Sequence, residues 1–206
     1  MRGLYAIADV GSLDVAGIAV LPFVDAILRA SPPMLQLRAK RIDAERMHAL
    51  ACEMARRCSE TSTAFVLNDD AHLAAQIGAN YVHLGQEDAS LQEVHEAHPG
   101  LKIGCSTHTE AELVAAAAMP LSYVALGPVY STRTKHDAAP VVSKELVLRA
   151  RALCKGKPLV VIGGLDEARA AALVPHVDMV AVISALVHPD MSEVTARARR
   201  LQALFA

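Results

Sequence analysis

Residues 127–137 read GPVYSTRTKHD. They follow the apolar run Tyr123–Leu126 directly, and they crowd three hydroxyls (Ser131, Thr132, Thr134) and two cations (Arg133, Lys135) into a few positions. Donors and positive charge on one loop suit a polyanion such as phosphate. Two further cations alternate in the segment QLRAK, where Gln36, Arg38 and Lys40 share one face of an extended strand. Three long polar side chains cannot be buried among apolar ones without partners, so this face is expected at the mouth of a site. The acids come from two other segments. LNDD supplies Asn68, Asp69 and Asp70, and HLGQED supplies His83, Gln86, Glu87 and Asp88. Asp70 is placed to cap the next helix. Asp69 and Asp88, at the ends of neighbouring strands, would repel each other unless a cation lay between them. Mg²⁺ fits that need, because it takes one or two protein carboxylates and completes its shell with water and substrate phosphates.

The elements that must position these residues can be read from the hydrophobic pattern. Eight short, nearly continuous apolar runs recur at 3–9, 34–40, 64–69, 81–85, 102–106, 123–127, 158–164 and 179–184. Continuous rather than alternating hydrophobicity marks strands covered on both faces, as in a parallel sheet. Alanine-rich segments of helical spacing separate them, with Asp43 and Ser143 placed to open two of the helices and Thr107 and Thr109 competing to open a third. Eight strand–helix units in 206 residues favour a closed (β/α)8 barrel over an open doubly wound sheet. The whole chain, 1–206, reads as one domain with no linker. Neither GxGxxG after the first strand nor a Walker-type GxxxxGK[ST] is present.

In such barrels the chemistry lies at the carboxyl ends of the strands. Ser106, at the fifth strand end, is placed to donate to an anion or to cap a helix. Gly163 and Gly164 end the seventh strand, and Ile183 and Ser184 the eighth, where SAL can open a short helical turn. That combination forms the recurrent phosphate cradle of these barrels. Cys105 is expected to pack rather than react, and His83 and His108 carry no assigned role. Bulk properties exclude other classes. Net charge is −2 and aromatic content 3%, which argues against nucleic-acid binding. No apolar run reaches the roughly 18 residues of a membrane helix. Four cysteines without a CxxC pair, and no secretory signal, point to reduced thiols and a cytoplasmic setting.

Taken in order, QLRAK, LNDD, GANYVHLGQED, GCSTHT, GPVYSTRTKHD, VIGG and VISAL resemble the thiamine phosphate synthase family over nearly the whole chain. The resemblance implies a single-domain (β/α)8 barrel that joins hydroxymethylpyrimidine diphosphate to thiazole phosphate, releasing pyrophosphate and giving thiamine monophosphate. It implies one Mg²⁺ per subunit on Asp69 and Asp88. It puts pyrophosphate on Arg38, Lys40, Asn68, Ser106 and Lys135, with Arg38, Lys40, Ser106 and Lys135 serving catalysis. Gln36 then helps to hold the pyrimidine, and thiazole phosphate rests on Thr132, Thr134, Gly164, Ile183 and Ser184. The expected partners are these small molecules; a homo-oligomer is compatible with the sequence. Three places depart from the family pattern: MPLSY before the sixth strand, PHVDM before the eighth, and IAD at the end of the first, where the family often has Thr before Asp.

Three other readings compete. A thiazole tautomerase relative would bind thiazole phosphate but has no use for Arg38, Lys40, Asp69 and Asp88. Lys40 as a Schiff-base amine would make the chain an aldolase-type lyase. A sensor would bind a phosphorylated ligand without turnover.

Overall fold

Short β-branched and aliphatic runs form eight strands: β1 (Gly3–Asp9), β2 (Met34–Arg38), β3 (Ala64–Asn68), β4 (Tyr81–Leu84), β5 (Lys102–Thr107), β6 (Tyr123–Leu126), β7 (Leu159–Ile162) and β8 (Met179–Val182). Each pairs in parallel with the next, and β8 returns to β1, so the sheet closes into a barrel. The computed structural model describes residues 1–206 apart from Arg41, Glu87, Ala89, Arg133 and 135–138. Around the barrel run α1 (Val10–Val15), α2 (Val20–Leu28), α3 (Ala44–Ser59), α4 (Ala71–Gln76), α5 (Leu91–Ala97), α6 (Glu110–Ala118), α7 (Lys144–Leu153), α8 (Glu167–Leu173) and α9 (Met191–Ala203). Two 3₁₀ turns, Val174–His176 and Ser184–Leu186, flank β8. The (β/α)8 expectation therefore holds. One difference is that the β1–β2 connection contains two helices rather than one. Another is that the ladder stops at Arg38 rather than at residue 40, so Lys40 lies beyond the strand.

Side-chain oxygens open most of the helices. Asp43 accepts from the Arg46 N–H, Asp70 from Leu73, and Ser143 from Leu146, and each bond satisfies one of the first-turn donors that a helix leaves unpaired. At α6 the competition goes to Thr109, which accepts from Glu112 N–H, while Glu112 reaches back to the His108 N–H at 2.7 Å. This near-reciprocal pair is a close variant of the capping box. Two of the places that depart from the family pattern lie where strands begin. Asp178 of PHVDM accepts from the Leu159 N–H at 2.9 Å, and Leu121 of MPLSY is buried.

Period-2 alternation splits the core in two. Outward strand residues such as Leu4, Leu35, Leu67, Val82, Val124 and Val161 pack against the helices. Inward residues, among them Tyr5, Met34, Val66, Tyr81, Tyr123, Val160 and Met179, fill the barrel. The Tyr5 and Tyr123 rings meet edge to face at 5.7 Å, and the His83 ring stacks on Tyr123 at 5.7 Å. Room for the Tyr123 ring comes from Gly104 beside it on β5: a Cβ there would stand 1.9 Å from the ring. Gly104→Ala should therefore destabilise the chain by about 3 kcal/mol, the upper end of typical overpacking costs. Gly100→Ala, with open space around it, should be close to neutral. Urea unfolding of the two variants checks this, and equal midpoints would contradict it.

Candidate active site at the carboxyl ends of the strands

Asp9 and Arg38 end β1 and β2 in direct register. The Arg38 guanidinium donates to Asp9 Oδ2, while Asp9 Oδ1 accepts from the N–H and hydroxyl of Ser12 at 2.9 and 2.6 Å. Both partners are largely withdrawn from solvent, at 13% and 6% side-chain exposure. The guanidinium keeps further N–H donors for a ligand, and its position is set by Asp9. Sequence reasoning gave Asp9 no role. Lys40 is different: its side chain is 58% exposed, and its ammonium lies 3.7 Å from Asp69 Oδ2.

Asp69 has a left-handed backbone, with φ of 68°, a conformation uncommon outside glycine. Its N–H still donates to the His83 carbonyl at 2.8 Å, which ties β3 to β4. The turn brings its carboxyl within hydrogen-bonding reach of Asp88, whose own Oδ2 accepts from the Gly85 N–H at 2.6 Å. Burial raises the Asp69 pKa, the Asp88 carboxyl raises it further, and the cations of Lys40 and Arg38 oppose the rise; the result is about 6. The Asp88 carboxyl thus stands near enough to disfavour ionisation of Asp69. Among the described residues no cluster of three or more His, Cys, Asp or Glu gathers. A cation here would rest on two carboxylates and take its other ligands from water or substrate. That donor set fits Mg²⁺ and not a metal that needs a full protein cage.

Below the mouth, Gln36, Asn68, His83 and Ser106 point into the barrel and are buried. Gln36 donates to the Tyr5 hydroxyl at 2.9 Å, and Ser106 Oγ lies 2.8 Å from His83 Nε2. Gln86 donates to the Ser106 carbonyl at 2.6 Å, a contact absent from the sequence-level reading. The Ser106 hydroxyl does not cap α6; Thr109 does. The His108 ring bonds through Nδ1 to the Gly127 carbonyl. Cys105 is buried, and burial raises its thiol pKa to about 11, in keeping with packing. All four cysteines are free.

Gly163 and Gly164 lie past the end of β7 with φ of 110° and 61°. The sequence reading explained them by close approach of a phosphate. The structure adds a steric demand of its own. A Cβ on Gly163 would stand 2.5 Å from Pro128, and one on Gly164 would stand 2.4 Å from the Ser131 carbonyl. The loop after β6 is laid directly onto them, with the Val129 and Tyr130 N–H groups bonding to the Ile162 and Gly163 carbonyls. Thr132 and Thr134 follow in that loop, the Thr134 N–H donating to the Thr132 hydroxyl. Lys135 lies outside the described residues. Ile183 precedes the turn that Ser184 opens, as SAL suggested. A cavity of about 730 Å³ adjoins the rim, with Lys40, Asn68 and Asp69 on one side and His72, Glu93 and His98 on the other.

These features place the chain among (β/α)8 barrels with cations and paired acids gathered at the mouth. The sequence profile described as thiamine monophosphate synthase matches residues 4–186, and the chain belongs to that family, whose members are transferases that release pyrophosphate. It is similar to thiamine phosphate pyrophosphorylase from Pyrococcus furiosus, at 26% identity and a TM-score of 0.85, over 99% of this chain and 95% of that one. More distant likenesses show the fold alone. A chain of the tryptophan synthase complex of Pyrococcus furiosus matches at 15% identity and a TM-score of 0.69, covering 99% of each chain. The YdjI aldolase of Escherichia coli K12 matches at 13% and 0.68, over 99% of this chain and 91% of that one. No helix among the described residues is long and apolar enough to cross a membrane.

The acid pair has a measurable consequence in metal-free protein. Asp69 holds its proton up to about pH 6 when folded, against 3.8 ordinarily. Its contribution to stability is thus fully present below pH 3.8 and is lost as pH rises through about 6. Asp88→Asn should relieve the part of that loss due to the Asp88 charge, leaving the part due to burial, and raise the Tm at pH 8 in EDTA by about 2 °C. The difference from wild type should shrink as pH falls from 6 to 4. A constant difference across that range would show that the pair is not coupled.

Proposed function

We propose that the chain, folded as one domain over 1–206, is a thiamine phosphate synthase: it joins hydroxymethylpyrimidine diphosphate to thiazole phosphate. The observation that carries this reading is the pairing of Asp69 and Asp88 beside Lys40 and Arg38. Cations and acids at one mouth make sense together when a metal-bound pyrophosphate lies between them. The C–O bond to the diphosphate breaks, the leaving pyrophosphate keeps its electron pair, and the thiazole nitrogen lone pair forms the new C–N bond. That nitrogen has no proton to lose, so no general base is needed. The aminopyrimidine stabilises a developing methylene cation, which makes a dissociative displacement feasible.

The protein's task is then to stabilise the leaving anion and align the nucleophile. Arg38, fixed by Asp9, and Lys40 supply charge to the pyrophosphate, with Asn68, Ser106 and Lys135 as further donors. Gln36 meets the pyrimidine. Thr132, Thr134, Gly164, Ile183 and Ser184 take the thiazole phosphate. One Mg²⁺ per subunit, held by Asp69 and Asp88, would neutralise charge on the leaving group. Four free thiols suit a reducing compartment such as the cytoplasm, and the small-molecule substrates are the enzyme's partners; whether subunits associate does not enter the chemistry. Lys40 is ill suited to the aldolase reading, since an exposed amine beside a carboxylate is the opposite of the desolvated setting a Schiff-base lysine needs.

A single-turnover reaction with both substrates and Mg²⁺ should release thiamine phosphate and pyrophosphate stoichiometrically, and EDTA should abolish it. Binding of thiazole phosphate without product would refute the assignment in favour of a sensor or tautomerase. Asp88→Asn should lower turnover at limiting Mg²⁺ by about 10²-fold or more. Lys135→Ala should lose activity chiefly through weaker pyrophosphate binding, and a variant changed only in solubility would remove Lys135 from the site.

A further inference from the structure

A line of hydrogen bonds crosses the barrel interior between two of the candidate ligand residues. Gln36 Nε2 donates to the Tyr5 hydroxyl at 2.9 Å, and the Tyr5 and Tyr123 hydroxyls lie 2.9 Å apart. The Tyr123 hydroxyl is 2.8 Å from His83 Nδ1, and His83 Nε2 is 2.8 Å from Ser106 Oγ. The side chains come from β2, β1, β6, β4 and β5 in turn, and none is more than 9% exposed.

Each link uses one proton, so the sense of the line can be followed. Burial pushes both phenols up, so each keeps its single O–H. Tyr5 accepts from Gln36. If Tyr123 also donated to Tyr5, the Tyr5 proton would lack an acceptor in the line, which is costly in a buried site. Tyr5 therefore donates to Tyr123, and Tyr123 donates to His83 Nδ1. A neutral imidazole accepting at Nδ1 carries its proton on Nε2, and that N–H points at Ser106 Oγ. The Ser106 proton is left unused by the line. The reverse sense would need Tyr5 to donate to Gln36 Nε2, an amide nitrogen that cannot accept.

We propose that Tyr123 and His83 are positioning residues that hold Ser106 as a hydrogen-bond donor toward a bound phosphate oxygen, and that Tyr5 orients the Gln36 amide with its carbonyl free to accept from the organic ligand. The identity of those ligands rests on the function proposed above; the polarity of the line does not.

The test begins with wild-type protein labelled in its histidines. Long-range proton–nitrogen correlation should show His83, assigned by comparison with His83→Gln, as the Nε2–H tautomer. An Nδ1–H pattern would overturn the proposal, and this measurement needs no variant of the tyrosines. Tyr123→Phe keeps the ring over Gly104 and removes one link. It should release the tautomer preference and weaken inorganic pyrophosphate binding by about tenfold. It should also lower kcat by about 10- to 100-fold while leaving KM for thiazole phosphate unchanged. Wild-type pyrophosphate affinity in Tyr123→Phe would refute the positioning role. If wild-type enzyme makes no thiamine phosphate, the functional reading fails, and the tautomer and the pyrophosphate affinity still decide the polarity.

Discussion

A closed parallel barrel must fill its own interior, and here that requirement is met by aromatic rings with polar tips. Tyr123 lies in the space that Gly104 leaves open, with Tyr5 edge-on and His83 stacked beside it. Their rings supply the apolar volume that closure needs. Their hydroxyl and ring-nitrogen tips must then be paired, because an unpaired polar atom at that depth is costly. The pairing runs upward to Gln36 and Ser106, so the packing of the barrel and the orientation of two residues just below the mouth are one arrangement. Among the described residues no buried side-chain polar atom lacks a partner.

Charge at the mouth follows a second constraint. Arg38 can stand largely out of solvent because it donates to Asp9, whose other oxygen is fixed by the Ser12 donors. Asp69 is partly buried and faces the Asp88 carboxyl; the nearby cations offset only part of that burial and repulsion, so Asp69 keeps its proton to higher pH. The mouth therefore sets cations beside paired acids, the arrangement on which the proposed metal-bound pyrophosphate reading rests. A proton-transfer barrel or a lone anion sensor would have no reason to hold two acids in this way.

Much of the barrel was legible in the residues because strand burial on two faces and helix caps are local signals. Asp43, Asp70 and Ser143 do what their positions suggested, and Asp69 and Asp88 come together because adjacent strands of a parallel barrel end side by side. Other features depend on register, which no local pattern encodes. The Asp9–Arg38 pair joins segments nearly thirty residues apart. The fit of Tyr123 to Gly104 depends on which residues of β5 and β6 face each other. Gly163 and Gly164 stood out as a motif, but their steric necessity comes from a loop that folds back from β6. The length of β2 was overstated because Ala39 and Lys40 continue the alternation of the strand after its hydrogen bonds have ended.

The two cations of QLRAK also differ in how they meet the surrounding electrolyte. Mobile ions screen exposed charges over about 8 Å at physiological ionic strength, whereas buried pairs are shielded from them. Arg38, withdrawn against Asp9, is little screened by added salt. Lys40, mostly in solvent and only loosely associated with Asp69, loses much of its pull as salt rises. Two cations two residues apart thus differ in their sensitivity to salt, so that under the proposed function the capture of pyrophosphate and its final seating would respond differently to the ionic composition of the medium.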